Sequence, residues 1–285
     1  MNLQPFNSRL EKFFNEVATI QHYQRLSADV AKQTIADLQA RDRNLAGLAP
    51  EDRELLGSSI DLFSFYNPYT GTIHPYSHAR LTHKETARLV HLHKNKQYQW
   101  LLVEAYELFE DFVVSLYELV RGDHKHFRLS KDDDAVMPLS ALKKKVPLII
   151  DMMRKKLPEL AKVEVENQIS TNLRLYTRMA EKFRHIIVHK NGKTDDSEKI
   201  IEDVLKWANL AGDKAREPAA RAQIANYVGG GDVAGVIVLV EQPILDAGVL
   251  SMNVNRHENL VNALMAHALV ITQSVVDYLG KASPA

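Results

Sequence analysis

The stretch "QYQWLLVEAYELFEDFVVSLYELV", residues 97–120, carries the clearest periodicity in the chain. Leu101, Leu102, Ala105, Leu108, Phe109, Phe112, Val113, Leu116, Leu119 and Val120 form one stripe, while Glu104, Glu107, Asp111 and Glu118 lie off it. Apolar residues recurring every three or four positions mark a helix with one buried face. The pattern predicts a long helix from about Thr82 to Val120.

The same period extends outward in both directions. Toward the N-terminus, Leu10, Phe13, Phe14, Val17, Ile20, Val30, Ile35 and Leu38 stand mostly at helical spacings. "APEDRELLGSSIDLFSFY" opens with Pro50 and acidic residues, a favourable helix start. "NPYTGTIHPYSHA" is rich in Pro, Gly and Thr and reads as a loop, which puts a boundary near residue 80. Toward the C-terminus, "RGDHKHFRLSKDDDA" reads as a polar loop. A helix from about Pro138 to Leu157 should bend at Pro147, which lacks a backbone donor. Another should run from about Glu166 to His189 and stop at Asn191-Gly192, a helix-ending pair. "DSEKIIEDVLKWANLA" reads as a shorter helix. In "AGVIVLVEQPILDAGVLSMNVN" two β-branched runs flank a turn, the pattern of a small hairpin. Asn255 then caps a last helix carrying Leu260, Leu264, Ala268, Ile271, Val275 and Leu279. The expected fold is all-α, with an N-terminal helical extension over residues 1–80, a helical domain over 81–285, and a β-hairpin before the last helix.

Composition bounds the function. The 285 residues suffice for one large domain or two small ones, and 36 Lys+Arg against 36 Asp+Glu leave no general basic field. Any nucleic-acid role must therefore be local. With no cysteine, disulfides, thiolate zinc sites and cysteine nucleophiles are excluded. The N-terminal segment lacks the pattern of a secretory signal, and no run approaches the roughly 18 apolar residues of a membrane span. The expectation is a soluble, cytoplasmic protein with no membrane partner.

Against that background "EKFRHIIVHKNG", residues 181–192, stands out. On an ideal wheel of about 100° per residue, Ile169, Leu173, Tyr176, Ala180, Phe183 and Ile187 share one stripe. His185 and His189 project nearly opposite it, one turn apart, and Arg184 sits at the stripe's edge. Ile186 and Val188 fall on the flanks, so the histidine face is bracketed by apolar surface. Such a face is expected to be covered, by the chain itself or by a second subunit, in a crevice where histidines titrate near neutral pH. The plainer alternative is a pair of surface histidines at a helix end, where cations suit the dipole.

Other chemistries fit less well. His185 and His189 have the spacing of a helical zinc pair, but Ile186 occupies the position where a metalloprotease needs Glu. His74, His78, His83, His91 and His93 show no ligand spacing. No metal or other cofactor is expected. The runs "KKK" at 143–145 and "RKK" at 154–156 suit either phosphate contacts or a solvated helix face. No glycine-rich phosphate loop and no G-x-S-x-G elbow occurs.

"FRHIIVHKNG" resembles the R-x4-6-H motif of the HEPN superfamily (higher eukaryotes and prokaryotes nucleotide-binding). Arg184 and His189 match its two defining residues, and His185 stands where the family commonly has a polar residue. The resemblance covers roughly residues 83–285, through a preceding long helix and a small hairpin leading into a last helix; residues 1–80 have no counterpart in a minimal HEPN domain. It implies a helical bundle that dimerises, bringing two motifs into one composite cleft. It further implies a metal-independent endoribonuclease of toxin–antitoxin, abortive-infection or antiviral systems, or else a non-catalytic module binding nucleic acid or protein. The expected partners are RNA, a second copy and an antitoxin or other protein. In the enzyme reading His189 is the acid/base for the RNA 2′-hydroxyl, leaving a 2′,3′-cyclic phosphate and a 5′-hydroxyl. Arg184 holds the phosphate, His185 orients or shares protons, and Lys190 and Asn191 contact the backbone.

Overall fold

The computed structural model describes residues 4–123, 127, 129, 139–246 and 251–282. Among these the helices are α1 (Gln4–Leu45), α2 (Pro50–Leu56), α3 (His83–Asp123), α4 (Leu139–Lys143), α5 (Val146–Lys156), α6 (Pro158–Val163), α7 (Leu173–Lys190), α8 (Ser197–Trp207), α9 (Glu217–Ala225) and α10 (Arg256–Ala282). Two antiparallel hairpins accompany them, β1 (Ser58–Tyr66) with β2 (Ile73–Thr82) and β3 (Glu241–Asp246) with β4 (Ser251–Asn255). The fold is all-α with a small hairpin before the last helix, as the apolar period predicts. Most of the polar loop at 121–135, Pro138 and the turn of the second hairpin at 247–250 lie outside the described residues.

Two compact units divide the chain. One joins the chain up to Tyr23 to everything from Tyr98 onward; the other is Gln24–Gln97. The division falls inside α1 and α3.

In the first unit the stripe of α3 is core: Leu102, Phe109, Val113, Leu116 and Val120 are fully buried. The start of α1 belongs to the same core, since the Phe13 ring centroid lies 6.3 Å from Phe109 and 5.2 Å from Phe112. Each such side chain withdrawn from water stabilises the unit by roughly 1.5–3 kcal/mol. Along α10, Leu260, Leu264, Ala268, Ile271, Val275 and Leu279 are buried, and Asn255 Oδ1 accepts the Glu258 N–H at 3.1 Å as the expected cap. An 18-residue window of α10 reaches a mean hydropathy of 1.4, enough by composition for a membrane span, although no uninterrupted apolar run has that length. Half of that window is buried inside the protein.

Several boundaries differ from the sequence reading. Pro147 lies in the first turn of α5, so it starts a helix after α4 instead of bending one. α7 begins at Leu173, not Glu166, because Asn172 Oδ1 caps it by accepting the Leu175 N–H at 3.0 Å. Ile169 is outside that helix and exposed. The first β-branched run makes single bridges, Lys193 with Val236 and Val228 with Ile237, and the hairpin lies downstream of it.

The second unit holds a hairpin that the sequence reading assigned to a helix and a loop. β1 pairs with β2 from Ser58↔Thr82 to Tyr66↔Ile73. The turn signals of "NPYTGTIHPYSHA" belong to residues 67–72, where Asn67 N–H donates to Thr72 O at 2.9 Å and Gly71 takes φ 71°. On α1, Leu38 is buried and Ile35 partly buried as expected, whereas Val30 is exposed and Ala31 is buried in its place.

Candidate functional site

α7 is enclosed on nearly every side along its first turns and opens at its end. Leu173, Leu175, Met179, Ala180, Phe183, Ile186 and Ile187 are buried, and so are Thr177 and Arg178 on its polar side. Arg178 lies on the face of His185, seven residues earlier, and is closed in by ion pairs: Nη1 to Glu181 Oε2 at 2.7 Å and Nη2 to Asp151 Oδ1 at 3.4 Å. His185 and His189 are exposed. Their ring centroids stand 4.6 Å apart with planes tilted by 51°.

The expected framing of these histidines needs correction. Ile186 is a core residue, 2% exposed, and does not flank the histidine face. It shares a stripe with Leu175 and Met179, at i+11 and i+7, which widens the buried face beyond the one predicted. Val188 is exposed and is the one apolar flank.

Arg184 is half-buried at the edge of this face, where its Nη2 donates to Glu107 Oε1 at 3.2 Å. Its Nε is buried without a partner. Glu110, one turn along α3, has its carboxyl pushed up to about 7. Burial is the main cause; Glu181, Glu107 and Asp111 add repulsion, and Arg184 opposes them. The buried Tyr106 phenol is pushed well up, first by burial and then by Glu181 and Glu110. The guanidinium therefore sits in an acidic frame that sequence periodicity shows merely as polar positions off a stripe.

On the other side, Lys182 pairs with Asp203 of α8, and its Nζ stands 5.1 Å over the half-exposed Trp207 ring. The His185 ring is pushed below its ordinary value by partial burial and then by the charges of His189, Lys182, Arg184 and Lys190. Lys190 is exposed. Asn191 adopts the left-handed conformation at φ 54° and closes the helix through its N–H to Ile186 O. Gly192 follows at φ 76°, its O accepting from Ile237 N at 2.9 Å, while Gln99 Nε2 donates to Ile237 O at 2.7 Å. "HKNG" is thus a stitched helix end on which Arg184, His185, His189 and Lys190 share the last two turns.

The lysine-rich runs are partly engaged. Lys143 pairs with Asp111, and Arg154 Nε donates to both oxygens of Glu164 at 2.9 and 2.6 Å. Glu164 is fully buried and also accepts from Arg174 Nη2 at 3.2 Å and from His267 Nε2 at 2.7 Å. His267 Nδ1 lies 2.8 Å from Thr177 Oγ1. Burial pushes His267 down, so the neutral ring donates through Nε2 and accepts the threonine hydroxyl at Nδ1. Being wholly enclosed, this network braces α5, α6, α7 and α10 behind the exposed face. Among the described residues no three His, Asp or Glu side chains converge as metal ligands.

Comparison with protein-family models, with curated proteins and with solved structures finds no match.

Proposed function

We propose that this chain is a metal-independent endoribonuclease of the HEPN type, acting as a homodimer whose two motif faces meet around the scissile phosphate. The observation that carries the reading is the open end of α7, where Arg184, His185 and His189 reach the surface of a helix otherwise enclosed. The His185 and His189 rings stand 4.6 Å apart, close enough for both to act at one phosphate. The neutral ring takes the 2′-hydroxyl proton, and the protonated ring serves the leaving 5′-oxygen. His185, whose protonated form its surroundings disfavour, suits the base role beside His189. Arg184 exchanges Glu107 for the phosphate, and its fork stabilises charge gathering there. Lys190 steadies the RNA backbone. Arg184 and His189 stand about 140° apart around one helix, so a second copy completes the site. Antitoxin-regulated, abortive-infection or antiviral defence is the setting this reading implies, with an antitoxin as a further partner.

A second reading has its own support. Glu107 on Arg184, with Glu110 close enough to feel the same guanidinium, disfavours a free phosphate clamp and suits a non-catalytic module that binds a partner. One assay separates the two. Total RNA incubated with the wild type in EDTA should be cut to 2′,3′-cyclic phosphate ends, while Arg184→Ala and His189→Ala lose about 10²-fold or more of the rate. RNA left intact by the wild type, or cut equally well by both variants, sinks the enzyme reading.

A further inference from the structure

The β1–β2 hairpin exposes apolar side chains on both of its faces. Ile60, Leu62, Tyr66 and Ile73 lie on one, and Phe63, Phe65 and Tyr76 on the other, where the Phe65 ring is 6.2 Å from Tyr76 and 5.2 Å from His74. Phe63, Phe65, Tyr66, Tyr69 and Tyr76 are 46–96% exposed. At about 150–250 Å² per ring they present roughly 600 Å² before the aliphatic side chains are counted. A two-stranded hairpin alone in water is marginal, and each of its strands has an unpaired edge.

The two edges are not equivalent. β2 carries Pro75, which has no N–H, and a bulge where Tyr76 interrupts the register between Phe63↔Ser77 and Ser64↔Pro75. Both features blunt an edge. β1 is nine residues, "SSIDLFSFY", without Pro, Gly or Lys and with Asp61 as its one charge. Over residues 58–82 the formal charges are Asp61 and Arg80, and Arg80 is tied down by Ser58 Oγ at 2.8 Å and Glu54 O at 3.0 Å. A neutral surface whose single arginine is engaged lacks the cations that a nucleic-acid groove requires.

We propose that β1 is a self-association edge, pairing antiparallel with β1 of a second copy across a two-fold axis at Leu62 to form a four-stranded sheet. Full overlap of the nine residues centres the pairing on Leu62. That register sets Asp61 opposite the second copy's Phe63, whereas a slip of two residues toward the N-terminus would set Asp61 opposite Asp61, like charges face to face. The pairing satisfies the free backbone groups of β1 and is isologous, so each β1 edge takes one partner.

The chain has no cysteine, so the test uses the full protein with a single introduced thiol. Under mild oxidation Leu62→Cys should form a disulfide-linked dimer at least about tenfold faster than Ser59→Cys, because residues facing each other across the axis lie within disulfide range. Two copies of residue 59 would be roughly 20 Å apart in that register. Leu62→Lys, which opposes two ammonium groups, should raise the dimer dissociation constant about tenfold in sedimentation, with an unchanged circular dichroism spectrum. Equal cross-linking of both cysteine variants overturns the pairing, whether or not the chain also dimerises through α7. So does a monomer that binds anionic lipid vesicles or RNA and loses that binding in Leu62→Lys. None of these readouts uses Arg184 or His189, so the pairing and the ribonuclease reading stand or fall separately.

Discussion

At Arg184 two interactions compete for one guanidinium: the Glu107 carboxylate at 3.2 Å, and the phosphate that the proposed chemistry brings to the same fork. Glu107 is more than half exposed, so the pair is screened and worth no more than about 1 kcal/mol. An incoming phosphate can displace it at modest cost. Glu107→Gln keeps the side chain's shape and removes its charge. In a His189→Ala background that blocks cleavage, Glu107→Gln should tighten RNA binding up to about fivefold, read by fluorescence anisotropy at fixed salt. An unchanged affinity would mean that the RNA does not use Arg184. The exposed histidine pair beside it was legible in the sequence as two titratable residues one helical turn apart. Glu107 and Glu110 were not, because their bearing on Arg184 comes from the packing of α3 on α7, residues more than seventy positions apart.

Among the elements, α7 shows how a site is held at a helix end. The turn at Asn191 and Gly192 releases the chain in a left-handed path, and Gly192 touches the side chain that anchors the segment at Ile237. A Cβ at residue 192 would stand 2.3 Å from Gln99 Oε1, at a φ of 76° that penalises any L side chain. Gly192→Ala should therefore cost roughly 1–3 kcal/mol, measured by urea unfolding. Adding Gln99→Ala should recover only part of that, since it relieves the clash and not the backbone strain. The Asn191-Gly192 stop, the α3 stripe and the α10 cap were readable because each depends on neighbours within one or two turns. A single apolar stripe puts Ile186 on a flank, whereas the helix is packed on several sides and buries it. The β1–β2 hairpin is hidden in the sequence for another reason: its strands are exposed on both faces, so no alternation of apolar and polar residues marks them. Its Pro75 also lowers any strand reading.

Across the whole molecule, the buried titratable groups set how stability responds to pH. His257 is 1% exposed, with both ring nitrogens buried and unpartnered, and its pKa is lowered by burial from 6.5 to about 4. The unfolded chain then binds the proton more readily than the folded one, so this contribution is complete above 6.5 and drains away as the pH falls toward 4. Glu164 adds a second acid-side loss. Burial raises its carboxyl, but His267 and Arg154 more than offset this and hold it at about 2 against an ordinary 4.5. Its stabilisation is present above 4.5 and is lost as the pH falls toward 2. Glu110 has the opposite sign. Raised to about 7, its ionisation weighs on the folded state in alkali, and that cost fades between 7 and 4.5. Urea unfolding from pH 8 to pH 3 should therefore show a plateau near neutrality and a fall that begins below about pH 6. Glu110→Gln should stabilise the protein by about 1 kcal/mol at pH 8, after discounting for solvent screening, and leave stability unchanged at pH 4.5. Glu164→Gln should cost roughly 3–5 kcal/mol at pH 7, because it leaves Arg154 and Arg174 without their buried counter-charge. It should also flatten the part of the acid fall below 4.5. If that part of the curve keeps its slope in Glu164→Gln, the acid sensitivity arises elsewhere and the network behind α7 is not what fixes it.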